Sequence, residues 1–523
     1  MAMFNRRNKE VFGPILTSLD TSAMTHVADA YPMPSVGLGR PPVSDGLYKG
    51  YEVADEIENN AELYRRYDVK RGLRNADGSG VIVGLTTVGS VHGYKKENGK
   101  VIPDEGDLIY RGYHVADLVN GAQAADRFGY EEVAYLLISG HLPTQAELDD
   151  FCARIDSRKQ LPESYLSIFP RTNYSHSIMN VMQRATLLLY AFDPNPDDTS
   201  PEHEVDVALS LLGRWPRTAA VAHEADIAAQ NDEKLVVPPV REGYSMAETV
   251  LDVLRGDDGF THDEAMMLDV MLMLHAEHGG GNNSAFTTRV LSSSGTDAYS
   301  TYAAAIGSLK GPKHGGANYK SGEMIDDIAA HVKDWSSDDE VADYLTKILN
   351  GEAFDGAGLI YGLGHAVYTL SDPRAQLVKR YARKLAEKKG TEDKLDLIER
   401  VERLGPQLMR DVRGIKKPIC ANIDLYTGFV YSMLGLPRDM YTPIFAMARL
   451  AGWTAHRMEE LYSAGRIIRP AYHPAIDMHD YVPMDERYGS ASESEEGESA
   501  AEEPAGEKGA EPEGTATGEG VEG

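Results

Sequence analysis

Three histidines stand in glycine-rich stretches whose composition suits chemistry: His278 in HAEHGGGNN, His314 in GPKHGGAN and His365 in FDGAGLIYGLGHAVY. Turning a chain asks for glycine but never for an imidazole, and glycine loops let a ligand approach the backbone closely. His314 precedes a helical pattern that starts near Ala317. Amides at a helix N-terminus disfavour positive charge, so this ring should be neutral at pH 7. A neutral imidazole can donate one hydrogen bond to a carbonyl beside a developing carbanion. His275 and His278 read as the last turn of a helix opening at Thr261, on one face. An imidazolium C-cap, a metal pair without further ligands at zinc spacing, and a substrate contact are the alternatives there. Arg374, in SDPR after His365, offers a planar fork for a carboxylate or else makes a surface salt bridge. Asp424, in KKPICANIDLYTG, is either a plain helix N-cap or a general base. A base with a pKa near 3.9 is weak against a carbon acid, at about 1.4 kcal/mol for each intervening unit. It works only with a partner that stabilises the carbanion, and one preorganised donor contributes about 2.7 to 4 kcal/mol. His314 is such a donor.

The elements that must position these groups are mostly helical. Thr144 with Glu147 and Thr261 with Glu264 form capping boxes ahead of apolar residues at helical spacing. Ser337 with Glu340 opens a helix that stops at Asn350-Gly351. Asp372 and Thr442 read as N-caps before Pro373 and Pro443. The clearest strand signal is VIVGLTTVGSVHGYKKENGKVIP, where Asn98-Gly99 suits a type I′ hairpin turn. The expected fold class is mainly α, with a minor β hairpin near the N-terminus and no internal repeat.

A chain of 523 residues exceeds one compact core, so two domains are expected. The formal charge of −29 argues against a nucleic-acid binder. About ten of those charges lie in the stretch 489–523, with eleven Glu against one Lys, which reads as a disordered acidic tail. Two cysteines, Cys152 and Cys420, suit a reducing compartment without disulfides. The longest apolar run, Ala265 to Leu274, is too short to span a bilayer, and the N-terminus lacks a signal-peptide core. A cytoplasmic protein without membrane or nucleic-acid partners is expected.

Taken together, HAEHGGGNNSAF, GPKHGGAN, GLGHAVYTLSDPR, NIDLYTG, MARLAGW and RIIRP resemble the citrate synthase family in order and approximate spacing. GDLIYRGYHVADL and YEEVAYLLISGHLPTQAEL are similar to its N-terminal signature, and the resemblance runs from about Gly80 to Pro470. It implies a transferase of the tricarboxylic acid cycle in which Asp424 removes a methyl proton from acetyl-CoA, His314 stabilises the enol or enolate, and His365 activates the oxaloacetate carbonyl. Citryl-CoA is then hydrolysed. It further implies that His278, Arg374 and Arg449 hold oxaloacetate, and that Arg469 reaches in from the other subunit of a homodimer. No metal or other cofactor is implied, since acetyl-CoA is a substrate. The family's fold sets a large domain, expected at 41–321 and 441–488 after an extension over 1–40, against a small closing domain at 322–440.

Two departures stand out. Thr369 occupies a position where many relatives carry Lys or Arg for a CoA phosphate, leaving Lys416 and Lys417 as the candidates for that contact. The second histidine of HAEH lacks the acidic residue or glutamine that often follows it, so His278 alone carries over. The same catalytic set would serve 2-methylcitrate synthase on propionyl-CoA, because one methylene shifts selectivity by only about 1 to 3 kcal/mol. Citryl-CoA cleavage and a non-catalytic scaffold acting through the acidic tail are the remaining alternatives.

Overall fold

The computed structural model describes residues 61–487 apart from 99, 167, 168, 170–176, 464 and 477. The expected extension over 1–40 and the acidic tail lie outside the described residues. Ala61–Ala471 forms one compact unit. Tyr472 onward belongs to a second, whose described part is exposed and carries one short 3₁₀ turn, Met484–Glu486.

Among the described residues there are seventeen α-helices and one three-stranded sheet, the mainly α architecture expected. After α1 (Ala61–Arg66), β1 (Gly89–Glu97) and β2 (Lys100–Tyr110) form an antiparallel hairpin, and the two-residue β3 (Tyr113–His114) pairs with β2. The hairpin is the one read from ENGK: Glu97 faces Lys100 and Asn98 sits at φ 52°, the left-handed region that asparagine tolerates. The strand begins later than expected, since 81–88 is irregular.

Helices then run α2 (Val115–Ala124), α3 (Tyr130–Ser139), α4 (Gln145–Asp156), α5 (Glu163–Leu166), α6 (Ile178–Leu189), α7 (Pro201–Asn231) and α8 (Met246–Arg255). They continue as α9 (His262–His275), α10 (Asn283–Ser292), α11 (Ala298–Leu309), α12 (Ala317–His331) and α13 (Asp338–Asn350). The last four are α14 (Pro373–Lys389), α15 (Glu392–Arg413), α16 (Asp424–Met433) and α17 (Tyr441–Tyr462). The capping boxes at Thr144 and Thr261 form, α13 ends at Gly351 in the left-handed region, and Asp372 caps α14. Thr442 is no cap. The N-cap of α17 is Met440, and Pro443 falls inside the first turn, where its missing N–H costs nothing.

Two long helices make the core. All of α17 from Pro443 to Arg457 is buried, and it packs on α7, where Trp215 meets Trp453 edge to face at 6.3 Å. Arg457 and Glu204 cross this contact as a dry bidentate pair, at 2.7 and 2.6 Å. Such a pair stabilises only while both partners are present.

Two arrangements carry residues to the site. First, α14 lies antiparallel to α9: Lys388 and Lys389 pair with Asp263 and Glu264 at the start of α9, while Arg374 adjoins His275 at its end. Second, the β hairpin presses on the backbone of 367–371. A Cβ on Gly93 would stand 2.7 Å from the Val367 carbonyl oxygen, and one on Gly106 only 2.1 Å from that of Ser371. Ser371 Oγ in turn accepts from Gly106 N at 3.0 Å.

Gly106→Ala should therefore force the hairpin off the 367–371 segment. We expect a loss of about 1 to 3 kcal/mol in thermal or urea unfolding, with Gly112→Ala as a control for positive φ in open space. An unchanged melting temperature for Gly106→Ala would show that the two backbones can separate freely.

Candidate active site

The loop bearing His365 is built by backbone pairing with the segment before Asp424. Gly362 and Gly364 take φ of 84° and 90°. Gly364 N donates to the Cys420 carbonyl at 2.8 Å, Asn422 N to that of Gly362 at 2.9 Å, and Asn422 Nδ2 to that of Gly364 at 2.7 Å. Two stretches sixty residues apart are thereby locked in one register. His365 then turns its ring onto its own main chain, where Nδ1 accepts from Val367 N and Tyr368 N, both at 3.0 Å. An acceptor nitrogen carries no proton, so the ring proton sits on Nε2. Burial and the nearby Arg374 charge push the pKa down to about 4, and the ring is a neutral donor at neutral pH. It stacks on Tyr368 at 4.7 Å and meets His278 edge-on at 5.1 Å.

Arg374 is buried rather than a surface ion pair. Its fork closes on Asp372, with Nε and Nη2 at 3.0 and 2.8 Å from the two carboxylate oxygens. Burial opposes its charge, but Asp372 more than offsets that. Asp372 also accepts from the main-chain N–H of Arg374 at 3.0 Å and of Ile423 at 3.2 Å, which ties the arginine to the residue before Asp424.

Asp424 is the first residue of α16 and does not cap it. Its N–H donates to Asn422 Oδ1 at 2.9 Å, and its carboxylate accepts no hydrogen bond among the described residues. Burial, only partly countered by Arg374, pushes its pKa up to about 6. The weak base expected from the sequence is thus strengthened by about two units, each worth about 1.4 kcal/mol.

His314 lies just before α12, with Nε2 at 3.1 Å from Ser284 Oγ. Ser284 is buried at the start of α10, accepts from the Trp453 indole N–H at 3.1 Å, and donates to Asn282 Oδ1 at 3.0 Å. Ser284 has one proton for two acceptors, Asn282 Oδ1 and His314 Nε2, and a ring that donates from Nδ1 requires that proton to pass to His314. Burial and then Arg449 hold the ring's pKa down to about 4, the neutrality expected from the helix N-terminus but with a larger cause.

Arg449, on α17, is fully buried over the face of Phe445 at 4.7 Å. Its Nε donates to the His275 carbonyl at 2.5 Å, and both terminal nitrogens are buried without a partner. Four buried N–H donors carry a large cost unless an acceptor arrives. His275 and His278 are also neutral: burial first, then neighbouring arginines, push His275 down to about 3 and hold His278 well below its ordinary value. An imidazolium cap is therefore ruled out. His278 also lies beyond α9, which ends at His275 because Tyr110 Oη takes up the following turn, 3.1 and 3.0 Å from the carbonyls of Met273 and Glu277.

Arg449 and Arg374 act electrostatically on the same groups, Asp424, His275 and His278, while Arg374 also acts on His365 and Arg449 on His314, so these side chains are close neighbours. The remaining candidates stand apart. Arg469 is exposed and makes no ion pair or hydrogen bond among the described residues, and Lys416 and Lys417 are likewise exposed. Thr369 donates to the Gly93 carbonyl at 3.4 Å and so serves the hairpin contact. Arg74 donates from Nη1 to the Ala366 carbonyl at 3.4 Å, next to His365.

Sequence reasoning missed three supports. Asp372 was read only as a cap, and Ser284 lay inside a recognised motif without a role. Glu277 is buried between the two histidines of HAEH, accepting from His456 Nε2 at 2.9 Å and from Gly279 N. Only the HAEH spacing hinted at it, because its side-chain partner, His456, is 179 residues away in sequence.

Comparison with known proteins bears on this cavity. The family described as "Citrate synthase, C-terminal domain" matches residues 77–471. A citrate synthase of Corynebacterium glutamicum is 34% identical over 73% of this chain and 84% of its own length. A 2-methylcitrate synthase of the same organism is 32% identical over 80% of this chain and 98% of its own. Among solved structures, citrate synthase of Thermoplasma acidophilum, in a ternary complex with carboxymethyl coenzyme A and oxaloacetate, superposes with a TM-score of 0.65. It is 26% identical and covers 80% of this chain and 99% of the other.

Selective ¹⁵N labelling of histidine should show the ring states directly. At pH 5 His365 should be a neutral Nε2–H tautomer, and His275 a neutral Nδ1–H tautomer donating to Met271 at 2.8 Å. Imidazolium signals from either ring at pH 5 would contradict the burial on which the site's electrostatics rest.

Proposed function

Because the chain belongs to the citrate synthase family, we propose that it condenses acetyl-CoA with oxaloacetate and water to give citrate and CoA. The observation that carries this reading is Arg449: a fully buried guanidinium, unpartnered at both terminal nitrogens, beside a base and several neutral imidazoles. A planar dicarboxylate satisfies such a group, and Arg374 supplies a second cation.

The steps follow from the charge states. Asp424, ionised at neutral pH yet with a pKa raised to about 6, takes a methyl proton from the thioester. His314, neutral, donates a hydrogen bond to the thioester oxygen as charge develops there, with Ser284 and Trp453 holding the ring. His365 donates from Nε2 to the ketone of oxaloacetate, which is held by His278, Arg374 and Arg449, and the enol carbon attacks. Water then hydrolyses citryl-CoA. Every step uses side chains alone, and no other cofactor enters the scheme.

Arg469 completes the carboxylate site from a second copy of the chain. Its exposure supports this, as does the uncovered apolar surface within the same compact unit: Ile82 is 90% exposed, Leu85 94% and Ile467 64%. Lys416 and Lys417, exposed near the Asp424 segment, serve as contacts for CoA phosphates. Two free thiols, both pushed up to about 12 by burial, and no described helix long and apolar enough to cross a membrane fit a cytoplasmic enzyme.

Thiol release from acetyl-CoA with oxaloacetate tests the reading, beside the same assay with propionyl-CoA. Asp424→Asn should lose about 10²- to 10⁴-fold in rate. Because Asp424 acts ionised, wild-type kcat should fall as pH drops through about 6, while the imidazoles stay neutral down to about pH 4. Release with neither thioester from folded protein would sink the proposal, and a preference for propionyl-CoA would turn it to 2-methylcitrate.

A further inference from the structure

Glu277 takes its hydrogen bonds from His456 and the Gly279 N–H, and its buried carboxylate acts electrostatically on Arg449. We propose that Glu277 is a positioning residue that sets the charge of the dicarboxylate pocket: its buried anion works against the field of Arg449 and holds oxaloacetate affinity below what the arginine alone would give. The inference rests on Arg449 receiving a substrate carboxylate.

Three observations support it. The first is that the anion is deliberately kept. Burial pushes the Glu277 carboxyl up, but His456 beside it, then Arg449 and the Gly279 N–H, outweigh this and hold it below the usual carboxylate range. His456 Nδ1 accepts from Arg289 Nη2 at 2.7 Å. Arginine can only donate, so the imidazole proton is on Nε2 and points at Glu277 Oε1, 2.9 Å away. Arg289 is itself fixed by Glu459 and by Glu460 at 3.1 Å.

The second is that the charge is unscreened. Both Glu277 and His456 are fully buried, and Glu277 Oε2 has no hydrogen-bond partner. Two glycines seal the carboxylate, since a Cβ at Gly452 would fall 2.5 Å from Oε2 and one at Gly89 3.1 Å from Cγ. A charge held this deep is screened far less than one in water.

The third separates charge from orientation. Arg449 makes no hydrogen bond to Glu277; its direction is set by the His275 carbonyl through Nε. Removing the carboxylate charge should thus leave the guanidinium aimed while making the pocket more attractive to an anion. A scaffold role for Glu277 gives the opposite sign, because a misplaced arginine binds worse.

The test is calorimetric binding of oxaloacetate without thioester, with steady-state kinetics alongside. Glu277→Gln, which keeps shape and loses charge, should lower the oxaloacetate Kd about tenfold. Glu277→Asp, which keeps the charge, should stay near wild type, and KM for the acyl-CoA should move in neither variant. An unchanged or weaker Kd in a glutamine variant that melts like wild type overturns the inference. Should that variant not fold, His456→Leu removes the donor that keeps the anion, and must shift the Kd in the same direction or the inference fails. Wild-type protein that binds no oxaloacetate at all would overturn the underlying function, which is a distinct result.

Discussion

One buried carboxylate, Asp372, holds the cavity together. It receives both arms of the Arg374 guanidinium, the main-chain N–H of Arg374 and the main-chain N–H of Ile423. Four donors on two oxygens leave it no freedom, and each donor belongs to a segment that must be placed. Through Arg374 it sets a cation against the histidines, and through Ile423 it sets the start of the helix that opens with Asp424. A neutral side chain at 372 would leave a buried guanidinium without its counter-ion, a change of several kcal/mol in comparable sites.

Around this point the site follows one electrostatic rule. Burial makes the imidazoles lose their protons and Asp424 resist losing its own, while arginine keeps its charge by virtue of its chemistry. The result is a cavity of neutral donors, one basic carboxylate and two fixed cations. Condensing a carbon acid with a ketone at neutral pH needs that combination, because donors that surrendered protons outright would quench the nucleophile they stabilise. A charge that cannot be neutral is paired out of sight, as with Arg457 and Glu204.

Much of this was legible in the chain itself. Capping boxes at Thr144 and Thr261 and the glycine stop at Gly351 are local devices, and they formed as read. The three histidines, Asp424, Arg374 and Arg449 could be singled out because their motifs are contiguous. What stayed hidden depends on partners distant in sequence. The pKa of Asp424 comes from burial that no neighbouring residue announces. His278 leaves its helix because Tyr110, on a strand more than 160 residues earlier, takes up the carbonyls of the next turn. Thr442 looked like a cap and instead donates to the Gly315 carbonyl at 3.2 Å, since tertiary contact outcompeted a local preference.

The way His365 is held has a consequence for variation. Its ring state is dictated by two peptide N–H groups, those of Val367 and Tyr368, and every residue except proline supplies that group. Side chains at these two positions can therefore drift without altering which nitrogen bears the proton. The electronic state of the ring is inherited from the path of the main chain. Scans that replace side chains one by one would report these positions as tolerant, although the function of the ring passes through them.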